Sequence, residues 1–242
     1  MVVNADDLGR SEGASEAILT CFASGRITSA SAMVFMADSK RAADHAKDCG
    51  IDIGLHINFT EGFTASVVPT TARKYHGQVS RFLRMNKYAL LVYNPLLLHP
   101  MRHLFEIQLD EFRRLYDREP CHIDGHQHMH LCTNMVVHGI IPAGLRVRRS
   151  FSFEPGQKSA LNRAYRGLVD RRLARRYRLT DYFFALSQCM TTSRLRHVFM
   201  LAERHDVELM THPEVKAEYD FLLSEQYFDL FSAAMTPRCQ PR

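Results

Sequence analysis

The chain has 242 residues, 46% hydrophobic and 24% charged, the balance of a folded protein rather than a disordered one and a length that one α/β barrel fills. A formal charge of +5 is too modest to mark a nucleic-acid binder, and the most apolar run, YALLVYNPLLLHP at 88–100, is broken by Asn94 and Pro95 and is too short to cross a bilayer. A single domain over 1–242 is expected; with no signal peptide ahead of the first apolar run and no C-x-x-C spacing, the six cysteines (Cys21, Cys49, Cys121, Cys132, Cys189 and Cys239) are expected to be reduced thiols of a cytoplasmic protein.

VVNADD at 2–7 reads as a strand: Val2 and Val3 suit a buried position, and Asn, Asp and Gly suit the turn that follows. Residues 11–27 read as a helix, with Ser11 or Ser15 as its cap and Gly25 as its stop. SASAMVF at 29–35 is a second strand, SKRAADHAKDCG at 39–50 a helix closing on Gly50, and IDIGLHINF at 51–59 a third strand. The long connection over 60–100 is expected to hold helices or a lid. Within it, 88–100 reads as a buried or lid helix that could touch an apolar part of a substrate or a membrane surface. Leu104, Ile107, Leu109, Phe112 and Leu115 give 103–119 a helical period. CHIDGHQHMH at 121–130 is a fourth strand running into a histidine cluster. Strands are also expected at 144–151, 181–187 and 207–212, and the Arg-rich stretch 163–181 reads as a solvated outer helix. Strand and helix alternate throughout, which predicts a parallel sheet with right-handed crossovers, open or closed into a barrel.

Four polar clusters sit at the C-terminal ends of these strands: Asp6 with Asp7; His56 with Asn58; Asp124 with His126, His128 and His130; and His212 before Pro213. In a parallel barrel those ends converge on one face. Singly, each has an ordinary explanation: Asp-Asp before a glycine caps a turn, and a lone histidine is satisfied in the core. Together, a carboxylate and two imidazoles suit a divalent ion such as Zn²⁺, which acidifies a bound water, while a second carboxylate accepts the proton. His45, His76, His99, His103, His138, His197 and His205 fall in helical or loop patterns and read as surface or structural.

NADDLG at 4–9, GLHINFTEG at 54–62, HIDGHQHMH at 122–130 and ELMTHPE at 208–214 resemble, in order, the four signature segments of the YdjC-like carbohydrate deacetylases, and TDYFFAL at 180–186 is similar to a strand of that family. The resemblance implies a distorted TIM-like (β/α) barrel related to the NodB fold. It implies one divalent metal ion, Zn²⁺ or Mg²⁺ first with Mn²⁺ and Co²⁺ also compatible, held by Asp7, His56 and His126. Asp6 then matches the base and His212 the acid that hydrolyse the N-acetyl group of an amino sugar, with a GlcNAc-containing oligosaccharide such as chitobiose as the default substrate. His128 competes with His126, because residues two apart share one side of a regular strand; otherwise His128 and His130 touch substrate or brace the ligands. Asp124 reads as the carboxylate that orients a histidine. Asn58, Thr60 and Glu61 bind sugar hydroxyls or stabilise their loop, the loop being favoured for Thr60 and Glu61. Arg148 and Arg149 either meet a carboxylate or phosphate or form an ordinary surface pair.

Only three residues precede Asn4, fewer than family members commonly carry. No signature matches 63–102, where a lid choosing the substrate is expected. The apolar 88–98 and basic 163–178 stretches keep open a lipid-linked or nucleotide-linked glycan and peripheral membrane contact; a homodimer is left open on no particular segment, and no nucleic-acid partner is expected. A catalytically idle module that binds sugar or metal is disfavoured, because metal binding alone needs neither Asp6 nor His212. Adjacent side chains of a regular strand point to opposite faces, so Asp6 and Asp7 can serve one centre only if the strand ends or twists there, and Gly9 is compatible with such a break.

Overall fold

The computed structural model describes residues 1–47, 49–153 and 156–235; Cys239 lies outside them. Strands β1 (Val2–Leu8), β2 (Ser29–Ala32), β3 (Asp52–Ile57), β4 (Ile123–Gly125), β5 (Tyr182–Ala185) and β6 (Val207–Thr211) form one sheet in the order β4-β3-β2-β1-β6-β5. Every pairing is parallel. The helices are α1 (Glu12–Ala23), α2 (Ser39–Lys47), α3 (Thr70–Leu83), α4 (Leu98–Tyr116), α5 (Thr133–His138), α6 (Ala160–Ala174), α7 (Thr192–Ala202), α8 (Lys216–Leu222) and α9 (Glu225–Met235). None among the described residues is long and apolar enough to cross a membrane.

Strand alternation gives the sheet two unlike faces. Val3, Ala5, Ile53, Leu55 and Leu209 join Ile18, Ala42, Phe105 and Phe112 of the helices in the main apolar core. The other face is polar yet buried, carrying Asn4, Asp6, Ser31, His56, Asp124 and Glu208. Burying such groups is costly unless they bond one another, and here they do. Gly54 shows how full this interior is: a Cβ there would stand 2.4 Å from the imidazole of His122.

The sheet curls, and a single extended segment links its two edges. Ile123 N donates to Arg146 O (2.8 Å) and Arg148 N to Ile123 O (3.0 Å) on the β4 side; Val147 N donates to Arg178 O (3.0 Å) and Ser152 N to Phe183 O (2.9 Å) on the β5 side. The strand expected at 144–151 is therefore reduced to isolated bridges, Ile123 with Val147 and Arg146 with Arg178. Six strands, rather than the eight of a regular TIM barrel, make up the sheet of the described residues.

The buried helix expected over 88–100 does not form. Asn94 before Pro95 disfavours helical backbone, leaving two 3₁₀ turns, Ala89–Leu91 and Pro95–Leu97, with the Asn94 side chain accepting from Leu96 N. Tyr88 is 59% and Leu96 83% exposed. Helix α4 starts at Leu98, earlier than the expected residue 103, and Pro100 in its first turn forfeits no helical hydrogen bond.

Candidate active site

The two aspartates reach one centre because β1 is irregular. Ala5 pairs with Ala30 and Leu8 with Ala32, so the register slips between them. Asp7 takes the left-handed backbone, φ 73°. Such a conformation costs on the order of 1–3 kcal/mol outside glycine and persists where surroundings enforce it. It turns Asp7 out of the alternation that leaves Asp6 on the polar face with Asn4.

Asp7 Oδ1 lies 3.2 Å from His56 Nε2 and 3.0 Å from His126 Nδ1. The donor atoms of the three lie within 4.8 Å of one another. On the far side of the ring, His56 Nδ1 is 2.8 Å from Asp124 Oδ1, which fixes which nitrogen faces Asp7. Burial opposes ionisation of Asp7, but the hydrogen bonds of His126 and His56 outweigh it and hold the carboxyl far below its usual range. Burial likewise opposes a charge on His56, yet the carboxylates of Asp124 and Asp6 push it up to about 10. One carboxylate and two imidazoles, each aimed by a neighbour, form a donor set that fits a borderline divalent cation. Asp6, His56 and Asp124 form a second such grouping, but a guanidinium already bridges its two carboxylates.

That guanidinium belongs to Arg148, 2% exposed. Its Nη1 and Nη2 grip Asp6 at 2.6 and 2.7 Å, Nη2 also reaches Asp124 Oδ2 at 2.7 Å, and Nε reaches Glu208 Oε1 at 2.7 Å. Asn4 Nδ2 donates to Asp6 Oδ1 at 2.9 Å and to Ser31 Oγ at 2.7 Å, and Ser31 Oγ donates to Asp124 Oδ2 at 2.6 Å. Three carboxylates around one arginine leave the interior acidic, a setting that attracts a cation. Arg148 thus meets carboxylates of the protein itself, while Arg149 turns the other way to Asp170, 2.9 Å from its Nη2.

His126 and His128 separate. The chain leaves β4 at Gly125 and passes through left-handed backbone at Gln127 (φ 53°) and His128 (φ 58°), so the two-residue repeat of a strand does not apply. His128 packs edge-on against Phe151, ring centres 4.6 Å apart, and is not part of the Asp7 cluster. His130 is buried with Nε2 3.0 Å from Arg148 O. Asn58 is spent on its loop, its Oδ1 accepting from Thr60 N and Glu61 N and its Nδ2 donating to Glu61 O at 2.7 Å. His212 follows Thr211, which pairs with Ala5, and so stands abreast of Asp6; Glu218 anchors its backbone N at 2.8 Å.

Several participants were not singled out from the sequence. Glu61, read as a loop residue, places Oε2 3.1 Å from His126 Nε2. Arg10 ties Glu61 (3.0 Å) to Glu214 and stands 3.7 Å from Asp7. Asn4 and Ser31 carry no sequence signal beyond their polarity. Glu208 does: a lone charge inside the apolar strand VELMT needs a buried partner.

The family model for YdjC-like proteins matches residues 1–233. A carbohydrate deacetylase of Mus musculus is 35% identical over 54% of this chain and 43% of its own length. A chitooligosaccharide deacetylase of Serratia marcescens is 30% identical over 54% of this chain and 50% of its own, and one of Enterobacter sp. (strain 638) is 28% identical over 72% and 64%. The chain thus spans roughly half the length of the curated relatives it matches. A solved Enterococcus faecalis V583 protein, provisionally assigned to cellobiose-phosphate cleavage, shares the fold with a TM-score of 0.66 over 96% of this chain and 94% of its own at 15% identity. A match that runs from β1 through the Asp7 cluster to β6 and beyond places this chain in the YdjC-like protein family.

Proposed function

We propose that the chain is a metal-dependent carbohydrate deacetylase that hydrolyses the N-acetyl group of an acetylated amino sugar. The observation that carries the reading is the convergence of Asp7, His56 and His126 beside a second carboxylate, Asp6, held by Arg148. The names of the relatives supply the substrate class, with a GlcNAc-containing oligosaccharide such as chitobiose as the default.

Asp7, His56 and His126 would hold the ion, Zn²⁺ or Mg²⁺ first. A divalent cation there supplies charge that polarises an amide carbonyl and acidifies a water molecule. Asp6, its orientation fixed by Arg148 and Asn4, takes the proton of the attacking water. His212, in its protonated form, gives a proton to the departing nitrogen as the C–N bond breaks. Acetate and a free amino sugar result.

The test is acetate release from diacetylchitobiose by metal-loaded protein. Asp6→Asn is expected to keep metal uptake while turnover drops by about 10²–10⁴-fold, the usual worth of a general base. Equal loss of metal in that variant would mean the two aspartates have exchanged roles. Absence of acetate from every acetamido sugar tried, with metal restored, would overturn the reading.

A further inference from the structure

Beside the histidine turn the surface opens into a trough. A cavity of about 310 Å³ is walled by Gln127 and His128 at one end, by Leu90 and Leu131, and by Tyr165 and Arg166 of α6. A second of about 560 Å³ continues along α6 and shares Leu131, Tyr165 and Val169 with the first. Its remaining floor is aliphatic, from Val136, Val137 and Leu168, and its rim carries Arg171, Arg172 and Arg175. The trough therefore starts at Gln127 and His128, the two residues that follow His126 in the chain.

Two properties of the second cavity are ill-suited to a free oligosaccharide. Sugar hydroxyls need hydrogen-bonding partners; the first cavity supplies some through Gln127, Ser150 and Asn162, whereas the second, apart from Thr133 and its arginines, offers mostly hydrocarbon. The rim is cationic: Arg166, Arg171, Arg172 and Arg175 line the two cavities, and the one acidic residue of the stretch 160–178, Asp170, is already bonded to Arg149 and to Ser150 N. Clustered guanidinium groups match phosphate oxygens. Flanking this basic strip, Tyr88, Leu161 and Leu168 stand 59%, 81% and 61% exposed, the mixture of apolar and basic side chains that settles at a bilayer surface.

We infer that the substrate of this site is an acetamido sugar joined through a phosphate to a hydrocarbon chain, with the sugar at Asp6 and Asp7, the phosphate against the arginines of α6 and the hydrocarbon in the trough. The inference rests on the deacetylase reading for its chemistry and on the trough for its substrate class. The reaction is unchanged: water adds to the acetyl carbon, the C–N bond breaks, and acetate leaves the lipid-bound amino sugar.

The test compares metal-loaded protein on three probes: decyl N-acetylglucosaminyl phosphodiester, its methyl counterpart, and decyl N-acetylglucosaminide without phosphate. The decyl phosphodiester is expected to give kcat/KM at least about tenfold above the methyl one, which roughly two buried methylenes supply. Tyr165→Ser with Leu168→Ser should erase most of that advantage while leaving the methyl ester unaffected. Arg171→Gln with Arg172→Gln should erase the preference for the phosphodiester over the phosphate-free glycoside. Equal kcat/KM for decyl and methyl esters, or variants that slow both alike, would overturn the inference. So would a dimer in light scattering that Leu168→Ser dissolves, since the trough would then be covered by a second copy. If no acetamido sugar is hydrolysed, the deacetylase reading fails by itself. Calorimetric titration with the decyl phosphodiester then decides the trough: binding weakened by the Tyr165 and Leu168 changes supports it, and no binding overturns it.

Discussion

Replacing Arg148 by Met tests how the polar interior is balanced. The side chain is fully enclosed and makes charge-assisted bonds of 2.6–2.7 Å to Asp6, Asp124 and Glu208. Methionine fills much of the volume but leaves three carboxylates without their cation. Removing one partner of a buried ion pair costs about 3–5 kcal/mol, a large part of the ~5–15 kcal/mol that holds a typical domain together. At ~2–4 °C per kcal/mol for a chain of this size, the melting temperature at neutral pH should drop by roughly 6–20 °C. Thermal unfolding followed by circular dichroism measures it. Adding Glu208→Gln to Arg148→Met should recover part of the loss, because one of the unpaired charges is gone. A melting temperature within about 2 °C of the parent, below the shift expected for even 1 kcal/mol, would refute the idea that Arg148 neutralises this interior.

Gly54→Ala should destabilise by about 1–3 kcal/mol, the usual cost of overpacking, since its Cβ would meet the His122 ring at 2.4 Å; if His122→Ala fails to rescue it in a double-mutant cycle, the collision is not the cause. Burial lowers the pKa of His130 from 6.5 to about 4. Below pH 6.5 the unfolded chain takes up a proton that the folded one refuses, so stability is complete above that pH and falls by up to about 3 kcal/mol as pH drops toward 4. His130→Gln should flatten that part of a urea-midpoint against pH curve, and an unaltered slope would rule the assignment out. Asp124→Asn should weaken Zn²⁺ binding by about 10–100-fold in a competition titration, as loss of a carboxylate behind a ligand histidine commonly does; unchanged affinity would show that Asp124 does not aim His56.

Much of this molecule is legible in the order of its residues. Val2 and Val3 make the start of β1 readable by strand propensity, while the strand runs on through Asn4, Ala5 and Asp6, residue types that suggest a turn. The alternation of strands and helices gives a parallel α/β sheet without any coordinates. What the sequence withholds depends on long-range or irregular geometry. Arg148 and Arg149 are indistinguishable as neighbours, and only the placement of their segment between two sheet edges sends one inward and the other to Asp170. The choice between His126 and His128 rests on a regular strand that the left-handed pair Gln127 and His128 abolishes. Glu61 looks like part of a loop because its partner His126 lies on a different strand end. The apolar 88–98 stretch suggests burial by composition, yet Pro95 breaks the helix that could have buried it.

The segment 145–152 has no ladder of its own: the backbone partners of Arg146, Val147, Arg148 and Ser152 come from Ile123, Arg178 and Phe183 on opposite edges. Contacts between parts so distant in sequence are the slow ones to form, so this crosspiece can lock only after both edges exist. Arg148 rides on it. Until it docks, Asp6, Asp124 and Glu208 face one another without their cation and resist closure. Assembly of the polar interior and the final closure of the sheet are therefore expected to be one event, and in pulse-labelled hydrogen exchange the amides of Val147 and Arg148 should gain protection last.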